Sequence, residues 1–301
     1  MSRGTKSIFA PDLLQGKRIL ITGGGTGLGR GVARYLVDHG AEVHLWGRRL
    51  AVLEEAAAET SAGRPGSVHV HTVDVRRADM VEAAVAGIWK RYGPLTGVIN
   101  NAAANFIAPT ATLSTRAFEA ITSTVMNGSF NTTLAVGRRW IAEGLPGSIL
   151  STLTTWVWTG SPYVVPSAMA KAAVHAMTMS LAVEWARYGI RVNAIAPGPI
   201  PTDYAWKMLN PTDKSSAGAT QPDQVPMGRA GTIEELAHLT IFLMSDACDY
   251  LTGETIAMDG GQRLAGPNTF ADLASLTDED WAEIRERSRA ASAASKAQRT
   301  V

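Results

Sequence analysis

An α/β fold, one doubly wound parallel sheet in a single domain, is what this sequence predicts, and three observations carry it. Strand and helix signals alternate almost without a break from Lys17 to about Asp259; the first strand runs straight into a glycine turn that opens a helix; and 46% of the 301 residues are hydrophobic, enough to bury a full core.

The elements follow in order. Ile19, Leu20 and Ile21 form the short apolar run of a buried parallel strand, and Leu28, Val32, Ala33, Leu36 and Val37 form a helical stripe that stops at Gly40. Between them lies GGGTGLG. Gly23, Gly27 and Gly29 let the backbone bend, approach a pyrophosphate and pack helix on sheet, while free N–H groups at the helix start meet the negative charge. Glu42–Trp46 reads as the second strand, 50–59 as a helix, and Val68–Val73 as the third strand, ending at Asp74. Apolar Met80, Val81, Ala84, Val85 and Ile88 mark a helix over 79–92, broken by Gly93 and Pro94 before a strand at 97–99 that Asn100 and Asn101 close. A helical region over 114–142 is interrupted around Asn127 and Gly128, where a kink would free backbone carbonyls. Strands at 148–151, 191–195 and 255–258 complete the sheet, with helices at 166–187 and, from a Thr232/Glu235 capping box, up to Ser245. This order predicts a Rossmann-type sheet, with the ligand crevice at the carboxyl ends of the strands.

Domain boundaries are expected at an N-terminal arm 1–16, a main domain 17–263 containing a substrate loop at 197–229, and an extension 264–301. Long loops in compact domains are often lids. The extension holds an amphipathic segment at 278–289 with Trp281 and Ile284, followed by ASAASKAQRT, which is expected to fray.

Net charge is +1, from 28 basic and 27 acidic residues, and no basic run is interleaved with aromatics, so nucleic acid is not an expected partner. Small molecules and sister subunits are. The lone Cys248 excludes an internal disulfide, reads as packing and fits a reducing, cytosolic setting. The opening segment has no signal-type apolar core, no stretch reaches eighteen uncharged apolar residues, and the terminal QRTV is not a peroxisomal address. A protein neither exported nor anchored is the expectation.

Several residues are candidates for chemistry. Arg48 and Arg49 stand where a ribose-binding acid would end the second strand, and two guanidinium groups there favour the 2′-phosphate of NADP, the alternative being solvated arginines at a helix start. Asp74 suits the adenine edge or a plain strand-end turn. His69 and His71 share one face of the third strand, but no carboxylate or cysteine at ligand spacing joins them, so exposed strand histidines and no metal are expected. A hydrolase is excluded by the absence of a G-x-S-x-G elbow.

TGGGTGLG, NNAA at 100–103, Asn127, a helix bearing Lys171 and PGPIPT at 197–202 together resemble the short-chain dehydrogenase/reductase family over nearly the whole chain. The resemblance implies cofactor contacts from Thr26, Leu28, Val75, Asn101, Ala102, Ala103, Lys171, Pro197, Gly198, Pro199 and Ile200, and a homotetramer. It also implies a Tyr-x-x-x-Lys helix, yet Ser167 holds the tyrosine's place in SAMAK, and a serine oxygen falls on the order of 4 Å short of a phenol oxygen.

That departure points to one branch. NNAAANFIAPT, VMNGSF, VVPSAMAK and GRAGTIEELAHL resemble 2,4-dienoyl-CoA reductases, NADPH-dependent enzymes of fatty acid metabolism that also carry S-x-x-x-K. The branch's mitochondrial type has a catalytic tyrosine eleven residues before the serine; here Trp156 stands there, a hydrogen-bond donor but no acid. The implied catalytic set is Lys171 and Asn127, with Thr154 standing where the family has its serine. Tyr163 is a displaced phenol or a packing and substrate contact, and Ser167 is a contact to substrate or water. Arg76, Arg77 and Lys207 are expected to meet phosphates of a CoA ester and Trp206, Met208 and Leu209 to cover its acyl chain, although surface charge and lid packing explain them too. The alternatives are a carbonyl or alcohol oxidoreductase with a relocated donor, and an NADP-binding sensor or scaffold.

Overall fold

A computed structural model of the chain describes residues 8–61, 63, 67–202, 225–266, 273 and 276–298. Its contacts cluster into two units, Met1–Arg263 and Leu264–Val301. The first holds seven parallel strands, β1 (Arg18–Thr22), β2 (Glu42–Gly47), β3 (Val68–Thr72), β4 (Gly97–Asn100), β5 (Gly147–Thr152), β6 (Ile190–Pro197) and β7 (Thr255–Met258). They lie in the order β3-β2-β1-β4-β5-β6-β7. Strand order therefore reverses between β1 and β4, and a crevice opens there at the carboxyl ends.

The helices are α1 (Gly27–Asp38), α2 (Leu50–Thr60), α3 (Ala78–Tyr92), α4 (Thr115–Thr122), α5 (Gly128–Glu143), the short α6 (Trp156–Thr159), α7 (Val165–Trp185) and α8 (Ile233–Met244). Two apolar layers hold them to the sheet. On one face Val32, Leu36 and Val37 of α1 and Leu236 and Ile241 of α8 bury against Ile19, Ile21 and Val43; on the other, α3 and α5 bury Val85, Ile88, Val136 and Trp140 against Leu20, Val98 and Ile149. The Thr232/Glu235 capping box is formed.

α4 does not break at Asn127. It passes through a π-turn, Ser123–Asn127, and continues as α5. The carbonyls loosened there find hydroxyl donors: Ser123 and Thr124 donate to Glu119 and Ala120, and Ser129 to Val125.

Two further expectations are corrected. The helix of the second unit is longer than the amphipathic segment at 278–289, for α9 runs Asp278–Gln298, consistent with the high helix propensity of alanine. His69 and His71 are not free surface histidines. In the parallel register His44 lies beside His69, which brings Glu42 and His44 of β2 onto the face that carries both. Glu42 Oε1 lies 3.1 Å from His44 Nε2, and His44 Nδ1 lies 2.9 Å from His71 Nε2. A carboxylate only accepts, so His44 carries its proton on Nε2 and its bare Nδ1 accepts a hydrogen bond from the Nε2–H of His71. Arg18 grips the same carboxylate through Nε at 2.9 Å and Nη2 at 3.1 Å. Burial holds His44 down to about 3 and His71 to about 4, so both rings are neutral at pH 7.

Candidate active site

The crevice between β1 and β4 is shaped by backbone. A Cβ on Gly23 would lie 2.9 Å from Ala102 Cα, and one on Gly29 would lie 2.6 Å from the Gly23 carbonyl oxygen, so only glycine permits the turn to fold this tightly. Thr22 Oγ1 accepts the N–H groups of Asn101 and Ala102 at 3.0 Å each, and the Asn101 amide donates to the carbonyls of Thr22 at 3.1 Å and Gly23 at 3.3 Å. Asn101 thus braces the mouth of the crevice with its side chain. Leu28 likewise packs against the α1 core with its side chain, which leaves only its backbone for a phosphate.

A cleft of ≈150 Å³ follows, lined by Gly23, Thr26, Arg48, Arg49, Asp74, Val75, Ala102 and Ala103 among the expected residues, together with Val52, Arg76 and Thr124. Its concave glycine floor and paired cations suit a phosphorylated dinucleotide. Gly27 opens α1 above it. Arg76, expected on the substrate side, is instead in this cleft. Its Nε donates to both Asp74 oxygens at 2.9 and 3.0 Å, and that hydrogen bond keeps the carboxyl below the usual carboxylate range. α5 fixes this loop from beneath: Asn131 Nδ2 donates to the Val75 carbonyl at 3.0 Å, and Gly128 leaves room for the Val75 side chain.

On the other side of the crevice the ends of β5 and β6 carry the remaining candidates. Lys171 is buried in α7 and its ammonium donates to the carbonyl of Thr152, the last residue of β5. Burial lowers it from 10.5 to about 8. Ser167, one turn before, is buried as well. Thr154 Oγ1 accepts the Trp156 N–H at 3.1 Å and so shapes the start of α6, an element the sequence reading did not foresee. Trp156 is half-buried, whereas Tyr163 is 58% exposed and does not pack. Its φ of 64° is the sole left-handed value of a non-glycine among the described residues, and its carbonyl accepts the Ala108 N–H at 3.0 Å, tying the loop after β4 to the entry of α7. Asn127 is exposed at the end of the π-turn, which packs on α7 through Val125 and Ala170. Pro197 ends β6, Gly198 N donates to the Met258 carbonyl at 3.0 Å, the Pro199 carbonyl accepts the Gly231 N–H at 2.9 Å, and Ile200 joins the core. Trp206, Lys207, Met208 and Leu209 lie outside the described residues.

Sequence reasoning missed the Asp74–Arg76 pair and Thr124. The first had a usable signal, since an acid two residues before an arginine at a strand end can close on it; the second had none.

Comparison with known proteins agrees with this fold. The family described as Enoyl-(Acyl carrier protein) reductase matches residues 23–263. The chain is 41% identical over 256 residues to a probable 2,4-dienoyl-CoA reductase of Bacillus subtilis, spanning 83% of this chain and 98% of that one. Among solved structures, a short chain dehydrogenase from Bacillus anthracis superposes with a TM-score of 0.76 at 40% identity, covering 84% of this chain and 98% of the other. A gluconate 5-dehydrogenase from Burkholderia cenocepacia, solved with NADP and tartrate, gives a TM-score of 0.76 at 32% identity, covering 85% and 98%.

Proposed function

Since the chain belongs to the short-chain dehydrogenase/reductase family and is an oxidoreductase that binds a nicotinamide cofactor, we propose that it is an NADPH-dependent reductase of a conjugated thioester, 2,4-dienoyl-CoA or enoyl-CoA. The carrying observation is a buried Lys171 with no phenol at either place where a tyrosine would serve it, Ser167 and Trp156 standing there instead.

In this reading Arg48 and Arg49 take the 2′-phosphate, Asp74 the adenine edge and Arg76, held by Asp74, the phosphate side of the same cleft. Bound there, NADPH supplies a hydride to the δ-carbon of the dienoyl chain. Lys171 anchors the ribose and holds a water through its ammonium. Asn127 orients that water or the thioester oxygen, with Thr154 and Ser167 as further hydroxyl contacts and the Trp156 indole lining the acyl path. Electron density arriving at the δ-carbon moves through the diene to the thioester oxygen, giving an enolate that survives until the held water delivers a proton. An isolated ketone would instead need a donor at the moment its alkoxide forms. The missing phenol is therefore tolerable for the conjugated substrate and not for the ketone.

We also propose a homotetramer, supported by exposed Phe130 on α5 and Met179 and Val183 on α7, and a cytosolic location, which suits a single cysteine; among the described residues no helix is long and apolar enough to cross a membrane.

The test is NADPH oxidation across dienoyl-CoA, enoyl-CoA, ketone and aldehyde substrates. Conjugated thioesters should turn over best, with Tyr163→Phe within about tenfold of the parent. Preferred turnover of simple ketones, abolished by Tyr163→Phe, would make the chain a carbonyl reductase with its tyrosine moved, and no turnover with tight NADPH binding would make it a sensor.

A further inference from the structure

We propose that Glu42, His44 and His69 form a binding site for a divalent transition metal of the zinc class at the β2–β3 edge of the sheet. None of the three lines the dinucleotide cleft, and the reading stands whatever substrate the enzyme reduces.

Register builds the donor set. Glu42 and His44 lie two apart on β2, on one face, and parallel pairing sets His69 of β3 directly beside His44. One oxygen and two ring nitrogens, all within 4.8 Å of one another, converge there. Zinc ligands at about 2.0–2.2 Å in a tetrahedron stand roughly 3.3–3.5 Å apart. Glu42 Oε1 lies 3.4 Å from His69 Nε2, an edge of that size, and 3.1 Å from His44 Nε2, an edge that would lengthen slightly once a metal replaces the shared proton. The remaining edge closes by rotation of the His69 ring, which keeps 22% of its side chain exposed while His44 is fully enclosed. Two imidazoles and one carboxylate suit zinc, cobalt or nickel better than calcium or magnesium.

The surrounding groups are those a metal site needs. Ligating histidines donate their other N–H to an acceptor, and ligating carboxylates are themselves hydrogen-bonded. When Nε2 of His44 binds metal, its proton sits on Nδ1 and is donated to His71 Nε2 across the same 2.9 Å, His71 taking its other tautomer with no net change in charge. Arg18 orients the Glu42 carboxylate through its fork and leaves a lone pair of Oε1 free for the metal. Its positive charge opposes a cation, which places the affinity below that of an all-neutral shell. Tyr92 closes over the group, its ring centroid 4.2 Å from that of His69. A bound metal would pin edge strand β3 to β2.

The experiment titrates the full-length protein, stripped with a chelator, first with Co²⁺ and then with Zn²⁺. One equivalent of cobalt should bind with the strong visible absorption of a tetrahedral ion and be displaced by zinc. Zinc at about 100 times its Kd should raise the thermal midpoint by roughly 5 °C. His69→Ala should weaken metal binding at least 100-fold and His71→Ala about 10- to 100-fold, with NADPH affinity unchanged in both. Absence of stoichiometric cobalt binding by the parent protein would overturn the proposal. So would cobalt affinity and spectrum that survive His69→Ala and His71→Ala unaltered.

Discussion

At the carboxyl ends of β1 and β4 the crevice is made of backbone: Gly23 and Gly29 approach Ala102 and each other too closely for any Cβ, and Thr22 and Asn101 lock the two strand ends together. At the ends of β5 and β6 it is made of side chains, a buried lysine held by the Thr152 carbonyl, a serine where a phenol would stand, and a tryptophan whose N–H is held by Thr154 at the start of a one-turn helix. The first region admits no side chain at either glycine, because a Cβ there would collide with neighbouring backbone. In the second, side chains set the chemistry, and they can be exchanged without moving the glycine turn.

The sharpest way to break that contrast is a pair of substitutions on one turn of α7. Lys171→Ala should lower dienoyl-CoA turnover by about 10²- to 10⁴-fold, whereas Ser167→Ala should stay within about tenfold. Steady-state kinetics at saturating NADPH checks both, and an equal loss at Ser167 would make the serine the acid after all.

The pH response separates the regions again. Lys171 titrates at about 8 in the fold against 10.5 when exposed. kcat/KM for NADPH should therefore fall above pH 8, about tenfold per unit at the limit, and the break should vanish in Lys171→Ala. Stability moves the other way. Between pH 8 and 10.5 the unfolded chain still binds the proton that the native state has released, so the cost of the buried charge fades and the denaturation midpoint should rise.

On the backbone side, Arg48→Ala should cost roughly 1.5–3 kcal/mol of NADPH binding and leave NADH nearly unchanged. Titration with both cofactors decides it, since equal losses would mean that the arginine supports the cleft rather than reading the phosphate. The smallest effect belongs to the helix that steadies both sides: Thr232→Ala removes the cap hydroxyl from Glu235 N and should cost about 1 kcal/mol in urea denaturation.

Legibility in the sequence follows the same division. The glycine turn, the capping box and the succession of strands and helices were readable because each is a local rule, enforced over a few residues by φ/ψ limits or by hydrophobic periodicity. Lys171 and Ser167 were legible only through the resemblance to the short-chain family, whose motif places them four residues apart on one helix. What could not be read depended on register between distant segments. Glu42 meets His69 only because β2 and β3 pair as they do, which turned two supposed surface histidines into members of a shared network. Arg76 folds back on Asp74 into the dinucleotide cleft, although its charge alone suited the far side equally well. The composition of the segment from 291 onward suggests an irregular tail, whereas the propensity of its alanines favours helix.

The π-turn at Ser123–Asn127 has a mechanical meaning. One residue more than a regular turn makes it a phase shifter in an otherwise continuous rod, because each residue advances a helix by about 100°. Upstream of it the rod presents Ile121 to the loop beneath α7; downstream it presents Thr132, Val136 and Trp140 to the sheet. Rewinding this segment as regular α-helix with all its residues kept would rotate everything beyond it by about 100°. Gly128 would lose its seat over Val75, Trp140 would leave the Leu95 carbonyl, and the dinucleotide loop would go slack from a change that touches no ligand. The wide turn, rather than any one side chain, is what keeps α4 and α5 facing their separate partners.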